Sequence, residues 1–188
     1  ATTVPVGVDV ASVAYHQPTG KLFATTSAPT LYVLDPATLV ATDVGTLPKV
    51  ADSIIVVPTG KLFLTTPDVQ NIYTTRVVVV DPVTYVQTNV QAQLSTSDTE
   101  IRASVPSLSS DGYVFYTGGA RLLWVDYTTL AANVNAITAN ANSGACAPDG
   151  KVYCGNKSTT YGLLAVFVTN PNTPTHTWCS YFNMNCRS

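Results

Sequence analysis

The sequence holds one glutamate (Glu100), one methionine (Met184) and two histidines (His16 and His176). Charged residues make up 11% of its 188 positions, against about 25% in a typical soluble domain. This scarcity narrows the chemistry. A paired-carboxylate hydrolase would have to draw on aspartates that sit in turn motifs. The basic residues Lys21, Lys49, Lys61, Arg76, Arg102, Arg121, Lys151, Lys157 and Arg187 are scattered, so there is no electrostatic footprint for nucleic acid. No apolar run is long enough to span a bilayer as a helix. Gly-x-Ser-x-Gly, His-Glu-x-x-His, P-loop and dinucleotide-binding patterns are all missing. Helical periodicity is missing too. Apolar runs are short, rich in Val, Leu, Tyr and Phe, and broken by Pro, Gly and Asp, which reads as all-β.

What the chain does have is a repeat. Pro58-Thr-Gly-Lys-Leu-Phe-Leu-Thr-Thr is followed, after a loop, by Arg76-Val-Val-Val-Val-Asp-Pro. Earlier come Pro18-Thr-Gly-Lys-Leu-Phe-Ala-Thr-Thr and Leu31-Tyr-Val-Leu-Asp-Pro. Later come Ser110-Asp-Gly-Tyr-Val-Phe-Tyr-Thr with Leu122-Leu-Trp-Val-Asp-Tyr, then Pro148-Asp-Gly-Lys-Val-Tyr-Cys with Leu163-Leu-Ala-Val-Phe-Val-Thr-Asn-Pro. Asp35, Asp81, Asp126 and Asn170 match, at separations of 46, 45 and 44 residues. A period in the forties with strand-like content marks a blade-forming array.

Each unit parses into four strands. In the second they are Ser53–Val57, Lys61–Thr66, Arg76–Val80 and Tyr85–Ala92, here termed A to D. Gly60 supplies the A–B turn. Asp81 opens the C–D turn by bonding its own backbone, and Pro82 presets φ. The matching aspartates are therefore read as turn residues rather than catalytic acids. In the third unit, Gly118-Gly119 predict a tight B–C turn. Runs such as Leu31-Tyr-Val-Leu and Val77-Val-Val-Val have no polar face, so they are expected to be covered on both sides.

The pattern resembles the YVTN and NHL-like β-propeller repeats, in which a hairpin with a Gly-Lys-aromatic core precedes an apolar strand ending in Asp. The resemblance covers about residues 8–182. It implies an all-β, propeller-like array of four four-stranded antiparallel blades. The units run over about 8–47, 48–94, 99–138 and 139–188, within a single domain spanning 1–188. Relatives include binding modules, surface proteins and lactonases, so the blade does not choose an activity.

Aligned on their A–B turns, Ser12, Asp52, Ser104 and Asn142 share a position at the start of strand A. They would form a polar ring at one end of a channel. It offers oxygen ligands to a cation, although one carboxylate among four favours a hydrated structural ring. No other cofactor is expected. His16, aligned with Val56, Leu108 and Cys146, reads as a packed histidine. Cys146, Cys154, Cys179 and Cys186 crowd the last unit and suggest an oxidising compartment, with three pairings open. Cys146–Cys154 across the hairpin, leaving Cys179–Cys186, is the favoured pairing. Asn156-Lys-Ser is a glycosylation sequon in a loop after strand B. A chain starting at Ala1 resembles a mature secreted protein. An extracellular or cell-surface location is expected.

Residues Thr2, Thr3, Val4, Pro5 and Val6 look like a fourth-type strand without a blade. Such a strand either closes the array or adds to a neighbouring molecule, and non-closing addition gives a filament. The leading expectation is thus a non-enzymatic extracellular structural or binding module that associates with itself or with protein partners. The alternatives are a small metal-dependent hydrolase of the lactonase kind, and a lectin-like glycan binder using Asn71 and Tyr73 of the 67–75 loop.

Overall fold

The computed structural model describes residues 9–38, 40–67, 74–93, 106–148, 152–156, 164–167 and 176–178. The first sheet is an antiparallel meander of β1 (Val10–His16), β2 (Lys21–Thr26), β3 (Thr30–Asp35) and β4 (Val40–Thr46), paired in that order. The second repeats it with β5 (Ser53–Val56), β6 (Leu62–Pro67), β7 (Thr74–Val80) and β8 (Gln87–Gln93). The remaining strands are β9 (Ser107–Leu108), β10 (Tyr113–Asp126), β11 (Ala132–Cys146), β12 (Val152–Asn156), β13 (Leu164–Phe167) and β14 (His176–Trp178).

These last six pair in the order β14-β13-β12-β11-β10-β9. That order hides two further meanders. Fully extended, the 14 residues of β10 would span about 46 Å. Yet the Tyr127 N–H, just past its end, donates to the Gly112 carbonyl, just before its start, at 3.0 Å. β10 therefore doubles back and supplies two arms. β11 also serves twice: Ala132–Ala136 pairs with the second arm of β10, and Ala141–Cys146 pairs with β12. The third sheet is thus β9, both arms of β10 and the start of β11. The fourth is the end of β11 with β12, β13 and β14. The four-by-four organisation read from the repeat is present. The boundaries differ because strands B and C of the third unit join in β10, and its strand D runs on through β11 into strand A of the fourth.

Register decides which residues meet. In the first sheet Phe23 lies opposite Ala14 and Val33, and Leu22 opposite Tyr15 and Leu34. Paired residues share a face, and successive residues alternate. Phe23, Leu31, Val33 and Ala14 thus form a forward face. It packs on Ile54, Val56, Leu62, Leu64, Val78 and Val80, which form the rear face of the second sheet. Phe23, Leu62 and Val80 are fully buried. Each such side chain contributes about 1.5–3 kcal/mol of transfer free energy. On the opposite face of the second sheet Phe63, Val77 and Val79 are also buried, which explains the continuous apolar runs.

The same scheme recurs between the third and fourth sheets. Phe115, Leu122 and Trp124 pack on Val152, with Tyr113 and Cys146 alongside. Tyr113 and Trp124 meet edge to face, 5.3 Å apart at 82°, a favoured aromatic geometry. Contacts gather into two compact units, Ala1–Gln91 and Ala92–Ser188.

Candidate functional site

The regular acidic residues are held in turns. Asp35 Oδ1 accepts the Ala37 and Thr38 N–H groups at 2.8 and 3.3 Å. Asp81 accepts from Val83 and Thr84, both at 2.9 Å. Asp126 accepts from Thr128 and Thr129 at 2.8 and 2.9 Å. Tyr85 and Leu130, each four residues after its aspartate, adopt positive φ of 60° and 63°. Each returns its N–H to that aspartate's carbonyl at 2.8 Å. These carboxylates serve backbone geometry, as the sequence implied.

Their ionisation follows from these bonds. The Thr84 and Val83 amides hold the Asp81 carboxyl below its ordinary value. At Asp126 burial pushes upward, but the Thr129 and Thr128 amides together outweigh it. A carboxyl lowered by folding stabilises the fold above the unfolded-state value and loses that stabilisation as pH falls through the folded one. The Asp81→Asn/Asp126→Asn double variant should therefore melt below wild type at neutral pH. The gap should narrow as pH drops below the ordinary aspartate value of 3.8. A gap unchanged between neutral and strongly acid pH in thermal melts would refute this role.

Asp52 differs. Its N–H donates to the Thr65 carbonyl at 2.9 Å, and partial burial raises its carboxyl above the usual range. Ser12 and Asp52, matched by sequence, fall on different register levels. Ser12 lies opposite Thr25, and the residue opposite Thr65 is Ser53. The cause is hairpin length. His16 pairs with Lys21 across four residues, including a 3₁₀ turn at Gln17–Thr19. Val57 bonds Lys61 across only three. Asn142 lies at a register shift in β11, between Ala141 and Ser143, and Ser104 lies outside the described residues.

By register His16 corresponds to Val57 and to Ser109, which bonds Tyr113. It is buried, 3% exposed. Its ring stands edge-on to Phe23, 6.2 Å away at 82°. The ring Nδ1 is hydrogen-bonded with Thr19 Oγ1 at 2.8 Å, and Thr19 Oγ1 lies 3.4 Å from the His16 carbonyl. Nε2 is buried without a hydrogen-bond partner and points at Gly60. A Cβ on Gly60 would lie 3.5 Å from it, and Gly60 has φ +82°. The imidazole fills the space beside a turn that only glycine fits comfortably. Among the described residues no three His, Cys, Asp or Glu side chains gather as a metal site.

The expected Cys146–Cys154 bridge is not formed. Cys146 is a free thiol, opposite Val152, while Cys154 lies opposite Gly144. The two are diagonal, about 7–8 Å apart on such a ladder, beyond the reach of a disulfide. Burial raises the Cys146 thiol, Asp111 adds to this, and a hydrogen bond with Ser107 opposes it. Asn156 ends β12 and pairs with Ala141, so the sequon begins inside the strand. Cys179, Cys186, Asn71, Tyr73 and the 2–6 segment lie outside the described residues.

Two serines join successive sheets: Ser12, read from the sequence as part of a polar ring, and Ser107, which the sequence reading did not single out. Ser12 Oγ accepts the Ile54 N–H at 3.2 Å, and Ser107 Oγ accepts the Cys146 N–H at 2.7 Å. In each case the innermost strand of one sheet captures the backbone of the next. A serine in an otherwise apolar strand was the available signal.

No family model and no curated protein sequence matches the chain. Solved structures do match. The β-propeller domain of Cps50 (Swd1) from Myceliophteria thermophila superposes with a TM-score of 0.62 at 11% identity, over 87% of this chain and 55% of that one. The chain adopts a β-propeller fold. The four sheets are its blades, and β1, β5, β9 and the end of β11 are their first strands. A protein of unknown function from Bacteroides caccae superposes at 0.58 with 8% identity, over 93% of this propeller chain and 62% of that one. The chain thus spans little more than half the length of these propellers.

Proposed function

We propose that this propeller is a non-enzymatic extracellular structural or binding module, built from YVTN/NHL-like blades. We further propose that it serves as the repeating subunit of a cell-surface filament joined by strand exchange. The observation that carries the first part is the employment of the recurrent acids. Asp35, Asp81 and Asp126 each spend a carboxylate oxygen on two backbone amides. A carboxylate so engaged is poorly placed to act as a general base.

Strand exchange is supported by the edges. β4 ends the first sheet, with β3 on one side only, and it carries Val40 at 55% exposure. Open edges accept added strands, and residues 2–6 have the composition to supply one. Negative-stain microscopy of the chain with and without residues 1–7 tests this. Filaments that vanish on deletion are expected. Discrete particles in both samples would refute strand exchange.

A further inference from the structure

We propose that Thr2–Pro5 of one copy add antiparallel to Val40–Asp43 of β4 in a second copy, with Val4 opposite Ala41. The proposal rests on the strand-exchange reading and fixes its acceptor site, its register and its partner.

The bonding pattern of β4 defines the site. In an antiparallel pair, residues that exchange backbone bonds alternate with residues whose N–H and C=O point away from the partner strand. The C–D turns set the phase. In the second and third blades the Asp81 and Asp126 N–H groups donate to the Val86 and Ala131 carbonyls at 3.0 and 2.8 Å. The same turn in the first blade makes Asp35–Val40 the bonded pair. Leu34–Ala41 and Tyr32–Asp43 then fall between bonds, so Ala41 and Asp43 offer their backbone groups to the open side. The other end of β4 has the same phase. The Leu47 N–H donates to the Pro29 carbonyl at 2.8 Å, so Thr46 points outward. Its outward carbonyl is already taken, because Gln87 Nε2 of the second blade donates to it at 3.1 Å. Val44 is an extra residue, since Tyr32 pairs with Asp43 and Leu31 with Gly45. The bulge and the Gln87 clamp end the regular edge. Val40–Asp43 is what they leave for an added strand.

The sequence Thr2-Thr3-Val4-Pro5 matches this stretch. Proline cannot donate to a ladder, so Pro5 has to stand where no N–H is required. Val40 faces such a place: its carbonyl turns toward Asp35, and its N–H bonds Thr38 Oγ1 at 3.4 Å. With Pro5 opposite Val40, an antiparallel strand puts Val4 opposite Ala41, Thr3 opposite Thr42 and Thr2 opposite Asp43. Val4 then extends the row Tyr15–Leu22–Leu34–Ala41. Pro5 covers Val40, which is 55% exposed, and threonine meets threonine, a favourable cross-strand pair. Shifting the strand to set Pro5 opposite Thr42 would instead place Val4 against the Asp43 carboxylate. The outer strand of the second blade is a poorer match. Gln87 holds the position of Ala41 there, and its side chain is spent on Thr46.

The same copy cannot supply the strand to its own β4. The Asp9 carbonyl accepts the Ser27 N–H at 2.9 Å, which holds Asp9 beside the start of β1. β1 and β4 are opposite edges of the sheet, so a strand beyond β4 lies four spacings from β1, about 19 Å. Four Cα steps separate Pro5 from Asp9, about 15 Å at full extension. Val40 is also at the far end of the sheet, level with Asp35 and Lys21 rather than with Val10. The donor is therefore a second copy.

Negative-stain microscopy of four forms tests the site: wild type, the chain lacking residues 1–7, Ala41→Pro and Ala132→Pro. Ala132 holds the position of Ala41 in the third blade, opposite Val125 and next to the Asp126–Ala131 bond. Proline at either position removes an N–H that the sheet itself does not use, and circular dichroism checks that each form is folded. Wild type and Ala132→Pro should form filaments, whereas the truncated form and Ala41→Pro should give single particles. Filaments from Ala41→Pro but none from the truncated form would sink this acceptor site and leave strand exchange standing at another edge. Folded Ala132→Pro without filaments would also sink it. Single particles from wild type would overturn the site and strand exchange together. Peptides test the register without altering the chain. An excess of synthetic peptide 1–7 should shorten wild-type filaments. N-methylation at Val4, whose N–H faces Ala41, should abolish the effect, and N-methylation at Thr3, whose N–H faces away, should spare it. No shortening by the unmodified peptide, or equal effects of the two methylated ones, would overturn the register.

Discussion

Phe23→Ala is expected to destabilise the first two blades by about 3–5 kcal/mol, the usual cost of emptying a fully buried aromatic site. The residue is 0% exposed and belongs to both links of the local architecture. It pairs with Ala14 and Val33 within its own sheet, and it packs with Ile54, Leu62 and Leu64 of the next. It also supports the His16 ring, which would lose its edge-on partner. A cavity here cannot collapse easily, because two sheets hold its walls. For a chain of this size the melting temperature should fall by roughly 6–20 °C, at about 2–4 °C per kcal/mol. Urea unfolding supplies the measurement, with Tyr153→Ala as comparison. Tyr153 holds the matching position in the fourth blade but is half-buried, so its loss should be clearly smaller. Equal losses, or a Phe23→Ala loss under about 1 kcal/mol, would mean that the blade–blade face is not the core.

The repeat was legible because turns have strict chemistry. Glycine at 20, 60 and 112 is needed for positive φ, and aspartate at 35, 81 and 126 for bonding its own backbone. Those two requirements recur once in each of the first three blades and mark the period. Face assignment was not legible. Strands such as Val77–Val80 are apolar on both sides, so no alternation reveals which residues point forward. Aligning on glycine then hid the extra residue in the first hairpin, and His16 was matched to Val56 instead of Val57. The same one-step ambiguity set Ser12 beside Asp52 rather than Ser53, and made Cys146 and Cys154 look like neighbours. Strand ends were obscured for another reason: β10 doubles back and β11 passes between sheets without a proline or a turn aspartate to punctuate them.

Removing both inter-blade serines should have the second-largest effect. Ser12→Ala leaves the Ile54 N–H without its acceptor, and Ser107→Ala does the same to the Cys146 N–H. An amide desolvated but unpaired costs about 1–3 kcal/mol. Ile54 is 6% exposed, so water cannot readily replace the lost oxygen. Cys146 is half-buried, but its bond is the shorter at 2.7 Å. The sites lie in different sheet pairs and share no partner, so their effects should add, giving about 2–6 kcal/mol for the double variant. Serine-to-cysteine variants at the same positions provide the control, since a thiol fills the volume but accepts hydrogen bonds weakly. If volume were the cause, cysteine would rescue stability. If the captured amide is the cause, cysteine should remain nearly as damaging as alanine. Amide hydrogen exchange locates the effect directly: faster exchange at Ile54 in Ser12→Ala and at Cys146 in Ser107→Ala is expected, with each site unchanged in the other variant. Unchanged exchange at both would show that the serines merely fill space. The outcome bears on how the array holds together, because these bonds join first strand to first strand, where sheet hydrogen bonding itself does not reach.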